Sequence, residues 1–485
     1  MRRIAEQALD HLDRREVAYA DVRLVDTRER NVTTKNGKMA HASSEESVGV
    51  GVRVLVNGSW GFASTDNFAS ESLAATVQRA IEIARASAAV KKADTVLAPE
   101  SKIIDTWSSP YRRDPFATSV EDNLDLLLKA DAEMRSVAGV TLAEAGLLFR
   151  RRHQIFLSTL GSVIEQTRVV TGAGIAAHSF AANEIQKRSY PNSFGGQYQL
   201  KGYELVEELD LVGHARRVGE EAVALHKAEQ CPHGKRALIL DSSQLGLQIH
   251  ESIGHPIELD RVLGMEANYA GTSFLTLDKL RTLRYGAELV NVVADARLEH
   301  GPGLGSFAYD DEGVPAQRTD IIKHGLFTGY LTSRETAPVL GETRSNGTMR
   351  AEGWNHIPLI RMTNVSLLPG AWKLADLIAD TDDGILMETN RSWSIDDRRY
   401  HFQFGCELGW EIKGGKKVRM LKNPSYSGIT TEFWNSCNAI CNRDHWVLWG
   451  TPNCGKGQPS QTMGTGHGAA PARFRNVTVG IAYAG

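Results

Sequence analysis

A chain of 485 residues has room for two or three domains, and 42% apolar with 23% charged residues is the make-up of an ordinary soluble globular protein. A net charge of −3 gives no electrostatic reason to expect nucleic acid as a partner, and no apolar run approaches the ~20 residues needed to cross a bilayer. Five cysteines do not form a disulfide framework at this length, and a start without a secretory pattern adds to the expectation of a reduced, cytoplasmic setting.

In chain order, Ile4, Leu9 and Leu12 fall on one side of an opening helix. Residues 18–25 and 49–56 alternate apolar and polar side chains, which predicts strands. Residues 68–88 carry Leu73, Val77, Ile81 and Ala84 at helical spacing, and a second helix is expected over 120–137. Strand patterns return over 140–149, 154–159 and 168–176, followed by a helix over 203–225. This half holds no chemical motif. Cys231-Pro232-His233-Gly234-Lys235 reads as a linker. The expected organisation is therefore α+β: a mixed α/β N-terminal domain over 1–230, then a β-rich C-terminal domain over 231–485. In the second part 236–240 reads as a strand, and Asp241-Ser242-Ser243 as a helix N-cap. Beyond about residue 290, short β-like runs alternate with Asn-Gly, Asp-Gly and Gly-Gly turns, as in a barrel or sandwich.

The chemistry concentrates in His250-Glu251-Ser252-Ile253-Gly254-His255. Two histidines one helical turn apart, with a glutamate between them, are the pattern of hydrolytic zinc sites. Here one extra residue intervenes. Positions four apart on an α-helix differ by roughly 40° around the axis, positions five apart by roughly 140°. A regular helix would point His255 away from His250, so the helix is expected to widen by one residue, as a π-bulge does. Gly254 is suited to absorb that distortion, and Pro256 removes a donor from the ladder just after it.

Catalytic zinc takes three protein ligands and keeps a position open, so a third donor is needed. Cys437, Cys441 and His445 recur every four residues and could share a helical face, but among Trp434, Ile440 and Trp446 they read rather as a packed segment in which cysteine is a small apolar residue. Cys454 lies in the glycine-rich Asn453-Cys454-Gly455-Lys456-Gly457-Gln458-Pro459, read as a turn, where Lys456 would favour the thiolate. Spacing alone leaves Cys454 open between ligand and buried loop cysteine. Glu258 and Asp260 are candidates to accept the second ring N–H of a ligating histidine, or are salt-bridge carboxylates. Tyr426 is a candidate donor to a developing oxyanion, or a packed aromatic. His445 and His467 receive no role.

The segment His250 to Asp260, HESIGHPIELD, resembles the HExxGHxxExD signature of the TldD/PmbA family of zinc metallopeptidases. The resemblance extends in order through Val54 to Ser64, Tyr309-Asp310-Asp311-Glu312-Gly313-Val314-Pro315, Gln317-Arg318-Thr319, Arg361-Met362-Thr363-Asn364 and Cys454-Gly455-Lys456. It is to the TldD-like branch, since PmbA-like members lack the His and Glu set present here. The resemblance implies one zinc ion per chain on His250, His255 and Cys454, with Glu251 as general base and acid. It also implies cleavage of short or unfolded peptides, and a dimer, either of identical chains or with a PmbA-like subunit. Family members have been described as modulators of DNA gyrase, a link that peptide degradation would explain indirectly. Two other readings are a non-catalytic PmbA-like partner subunit and a zinc hydrolase of non-peptide amides. Dipeptidyl peptidases share the extra residue but take their third ligand from a downstream Glu-Glu pair, which is not found here.

Overall fold

The computed structural model describes residues 1–12, 16–269 and 271–481. Eight strands form the first sheet: β1 (Tyr19–Lys35), β2 (Lys38–Val56), β3 (Ser59–Thr65), β4 (Ile104–Ser108), β5 (Val140–Ser158), β6 (Val163–Ala181), β7 (Glu184–Tyr190) and β8 (Gln197–Gln199). Their order is β3-β2-β1-β5-β6-β4, with β7 and β8 also pairing β6. β1 and β2 turn at Asn36-Gly37, both at positive φ, the conformation that a tight hairpin requires.

One face of this sheet is apolar and carries the helices. α1 (Arg2–Asp10) buries Ala5 and Ala8, and α2 (Ser70–Ala88) Leu73, Val77 and Ile81, in one core with Val22, Leu24, Val52 and Val54. Further along, α3 (Val120–Arg135) and α5 (Leu211–Ala224) cover Leu147, Phe149 and Ile175. The expected helix over 203–225 is in fact two, α4 (Glu204–Leu209) and α5, because Asp210 adopts a left-handed φ of 41° and caps Gly213. The strands also run well beyond their expected ends. Residues 26–48 are polar on both sides and show no alternation, yet backbone pairing carries β1 and β2 through them.

The opposite face of the sheet is polar and packs on the rest of the chain. Arg53 bridges Asp21 (2.7 Å) and Glu312 (3.1 Å), all three side chains almost fully buried. Gln154 donates to Asp311 (2.7 Å), Gln166 to the Tyr309 carbonyl (2.8 Å), and Arg152 to the Ala351 and Glu352 carbonyls (2.8 Å each). Asp310 accepts from the backbone of Glu312, Val314 and Met349. The acidic Asp310-Asp311-Glu312 segment is thus a buried clasp between the sheet and the second half.

That half is β-rich, as expected. It contains β9 (Glu229–Gln230), β10 (Gly234–Leu240), β11 (Val292–Asp295), β12 (Arg318–Lys323), β13 (Leu326–Phe327), β14 (Met349–Arg350), β15 (Leu359–Ile360), β16 (Val365–Leu367), β17 (Asp383–Ile395), β18 (His401–Lys413), β19 (Lys416–Lys422), β20 (Pro424–Ile429), β21 (Cys437–Ile440), β22 (Val447–Lys456), β23 (Gln461–Ala469) and β24 (Ala472–Ile481). A second eight-stranded sheet runs β17-β10-β24-β20-β18-β19-β9, with β21 on β24. A further pairing of β17 with β18 closes β17-β10-β24-β20-β18 into a ring, the barrel alternative of the sequence reading. Part of the expected linker, from Gly234 on, is already β10. Against this ring lies α6 (Ser242–Ile249), with Leu245 and Ile249 in one core with Phe404 and Phe474. Among the described residues no helix is long and apolar enough to cross a membrane.

Candidate metal centre

Asp241 opens α6 by accepting from the amides of Ser243 and Gln244, the N-cap that the sequence predicts. The helix then widens into a π-turn over His250–Gly254, closed by the His255 amide donating to the His250 carbonyl at 3.1 Å. That five-residue step puts both imidazoles on one side, with ring centroids 4.8 Å apart and planes at 84°. The Ser252 carbonyl would ordinarily accept from residue 256, but Pro256 has no N–H. The buried Tyr285 hydroxyl supplies the missing donor. Ser252 Oγ is fixed in turn by Gln248 (3.1 Å) and Trp434 (2.9 Å). Gly254 serves close approach rather than conformational freedom: a Cβ there would lie 2.0 Å from the Met362 sulfur.

Cys454 completes the cluster. It stands on β22, two residues before the strand ends, and not in the turn where the sequence put it. One donor atom each from His250, His255 and Cys454 lies within 4.8 Å of the others, and all three residues are buried. The hydrogen bonds also set which ring nitrogen is bare. His467 Nδ1 lies 3.1 Å from the Val365 carbonyl, which can only accept, so that nitrogen carries the proton. His467 Nε2 therefore accepts from His250 Nδ1 (2.7 Å), leaving His250 Nε2 with its lone pair. Glu258 Oε2 accepts a hydrogen bond from His255 Nδ1 (2.9 Å), and His255 Nε2 faces the Cys454 sulfur at 3.7 Å.

Electrostatics separate Cys454 from the other thiols. Burial pushes Cys231 and Cys437 up to about 12, Cys441 to about 11 and Cys406 well above its ordinary value. Burial also raises Cys454, but Arg361 and His255 outweigh it and bring the thiol below its ordinary value. Arg361 also donates to the Cys454 carbonyl. Lys456, expected to promote the thiolate, is instead held by Asp260 at 2.7 and 2.9 Å. Asp260 accordingly anchors Lys456 and does not reach a histidine. Burial holds His250 below its ordinary value and His255 and His467 far below, which favours the neutral form of each ring. Two imidazoles and a thiol held below its ordinary value, each steadied from behind, suit a borderline-soft ion such as zinc.

Glu251 lies beside this cluster, 5% exposed, its Oε2 2.5 Å from Arg399 Nη1. Tyr426 does not face the site: its hydroxyl accepts from Gln244 and donates to Gln248, both at 2.9 Å. It is a packing residue of β20. Cys437, Cys441 and His445 share no helical face, since Cys437 begins β21 and His445 ends a 3₁₀ turn, accepting from the Leu374 amide. His467, Arg361 and Arg399 are the residues that sequence reasoning missed. Arg361 stands only within a motif of the family resemblance, with no role given to it, and His467 and Arg399 have no local signal; each reaches the site from more than 90 residues away along the chain.

Residues 233–480 match the family model described as the PmbA/TldA metallopeptidase C-terminal domain, and residues 20–84 match domain 1 of the same family. A metalloprotease of Methanocaldococcus jannaschii is 30% identical over 93% of this chain and 95% of its own. One of Methanothermobacter thermautotrophicus is 30% identical over 96% of each. A metalloprotease TldD homolog of Buchnera aphidicola is 25% identical over 98% of this chain and 95% of its own. The fold matches a Thermotoga maritima protein provisionally described as a modulator of a DNA gyrase, with a TM-score of 0.77, 18% identity and 99% coverage of both chains. It also matches TldE of Thermococcus kodakarensis, with a TM-score of 0.74, 14% identity and 99% coverage of both.

Proposed function

The chain belongs to the PmbA/TldD metallopeptidase family, and from that premise we propose that it is a zinc-dependent peptidase of the TldD-like, catalytic branch that cleaves short or unfolded peptides. The observation that carries this reading is the set of bare donors: His250 Nε2, His255 Nε2 and the Cys454 sulfur converge while their remaining polar atoms are engaged elsewhere. A non-catalytic subunit has no need to keep such a set, nor Glu251 beside it.

Zinc bound by these three residues would acidify water and polarise a scissile carbonyl. The protein's own part begins at Glu251. Arg399 engages Oε2, so Oε1 is the atom that would take the proton of the attacking water and pass it to the leaving amine. His467 and Glu258 hold the two imidazoles in one tautomer each. His250, Glu251, His255 and Cys454 are each only 4–5% exposed, which supports a site that a folded surface does not reach.

Elemental analysis paired with a peptide-cleavage screen tests the reading. Wild type and Cys437→Ala should hold one zinc per chain and cleave peptides. Cys454→Ala should lose the metal. Glu251→Ala should keep zinc and lose about 10²–10⁴-fold in rate. Full zinc in Cys454→Ala, or near-normal turnover in metal-replete Glu251→Ala, would overturn it.

A further inference from the structure

A cavity of about 400 Å³ opens between the polar face of the first sheet and the β22–β23 hairpin, within the size range of small-ligand clefts. Its sheet side is built in register. Thr27 of β1 pairs with Arg152 of β5, and Arg152 with Arg168 of β6; one row along, Glu29 pairs with Arg150. Residues two apart on a strand share a face, so Arg150, Arg152 and Arg168 all project the same way. Arg350 and Met463 line the opposite side.

The cavity has more cations than anions to meet them. Glu29 satisfies Arg150 at 2.6 Å. Asp311 is shared between Arg152 (3.7 Å) and Arg23 (3.9 Å). Arg350 donates only to the carbonyls of Met362, Gly464 and Leu304. Among the described residues, no carboxylate stands within salt-bridge distance of Arg168 or Arg350. Arg152 and Arg350 are 7% and 4% exposed, and the Nε of each is buried with no partner. Arg152 and Arg168 meet directly across neighbouring strands, a like-charge pairing that destabilises a sheet. Burial, reinforced by neighbouring guanidinium groups, pushes Arg152 down to about 10 and Arg350 far below its ordinary value. Among the described residues, the four guanidinium groups of Arg150, Arg152, Arg168 and Arg350 thus meet only Glu29, Glu352 and an Asp311 already shared with Arg23.

We propose that this cavity binds a carboxylate of the peptide substrate, foremost its free C-terminus. Planar guanidinium groups match a carboxylate two bonds at a time. The location fits a substrate group, because Met463 of the lining pairs across the hairpin with Cys454, and directly opposed residues on two strands have Cβ atoms about 5 Å apart. A peptide anchored there would be cut within a few residues of its end, since an extended chain spans about 3.3–3.6 Å per residue. This inference rests on the peptidase reading for its ligand but not for its test.

The test is equilibrium binding to zinc-loaded Glu251→Ala protein, read by fluorescence anisotropy. The probes are an N-terminally labelled neutral hexapeptide as the free acid, the same peptide as the C-terminal amide, and an amide carrying glutamate at its last position. The acid should bind at least about tenfold tighter than the neutral amide, in keeping with a charged hydrogen bond. Adding Arg168→Met should abolish that preference without lowering Tm, because it relieves a like-charge pair. Binding of the glutamate amide on a par with the acid supports the carboxylate site and assigns it a side chain as well. Equal binding of acid and neutral amide, no binding of any probe, or a preference that survives in a folded Arg168→Met protein overturns the proposal. Wild-type hydrolysis of the same peptides keeps the two readings apart. Cleavage without acid preference defeats the carboxylate site alone, and acid preference without cleavage of any peptide defeats the peptidase alone.

Discussion

His467 shows how a residue with no sequence signal comes to matter. Its Nδ1 proton is committed to the Val365 carbonyl, so its Nε2 must accept, and His250 is thereby held in the tautomer that bares Nε2. In His467→Leu, His250 Nδ1 loses its 2.7 Å partner and keeps only the longer contact to Thr465 Oγ1 at 3.4 Å. Zinc affinity should fall about 10–100-fold, as for other residues that orient a ligating histidine, measured by competition with a chelator; unchanged affinity would deny His467 this role. His300 provides a pH signature remote from the centre. It is half-buried, 2.8 Å from Ser366 Oγ, and burial pushes it down to about 4. A histidine whose folded pKa lies below its ordinary 6.5 binds fewer protons folded than unfolded in the interval between. Its contribution to stability is therefore complete above about pH 6.5 and drains away as pH falls towards 4. Thermal unfolding followed from pH 7 to 4 should show a flatter decline of Tm for His300→Asn than for wild type. Parallel profiles would remove His300 from the acid sensitivity.

At the scale of elements, the π-turn is a local fault repaired by distant parts. Pro256 deprives the Ser252 carbonyl of its helical donor, and Tyr285, 33 residues on, replaces it. Tyr285→Phe keeps the ring and removes only that donor, leaving a buried carbonyl unpaired at a cost of about 1–3 kcal/mol. Chemical denaturation should register that loss, and zinc affinity should drop with it because the turn sets the angle between the two histidines. A variant as stable as wild type would show that the turn holds itself. Elsewhere the elements differ from their sequence patterns for identifiable reasons. One left-handed residue, Asp210, splits a helix whose apolar periodicity runs straight through it. Polar residues along 26–48 hide a hairpin that backbone pairing, rather than side-chain burial, extends.

For the molecule as a whole, the polar face of the first sheet joins two differently built halves. Arg53, Asp21 and Glu312 at that joint form a buried ionic cluster, and breaking such a cluster at one member costs far more than an exposed pair. A joint of this kind holds the sheet against the second half, whose metal centre has members that are almost wholly covered. Folded substrates should therefore be poor ones, since a segment must first open locally before it can reach Glu251. Digestion of one stable protein in native and unfolded forms, with products read by mass spectrometry, should show cleavage of the unfolded form only. Equal rates would overturn the selective access proposed here even if zinc and Glu251 behave as expected.

The sequence by itself determined the parts whose cause is local. Residue spacing required the helix to widen between His250 and His255, the Asp241 side chain capped that helix, and periodicity located α2 and α3. The β-rich character of the second half was legible from its turns. What only the tertiary structure decided is whatever depends on which distant groups meet in a low-dielectric interior. Cys454 could not be separated from Cys437 or Cys441 by spacing, because the difference lies in Arg361 and His255 opposing burial at one sulfur and not at the others. Asp260 and Tyr426 looked available for chemistry, yet Lys456 occupies one and Gln244 and Gln248 the other. Glu258, chemically alike and two residues away, does reach its histidine. The arginines around the cavity show the same dependence: Arg152 and Arg168 stand sixteen positions apart in sequence, and only strand register sets them face to face.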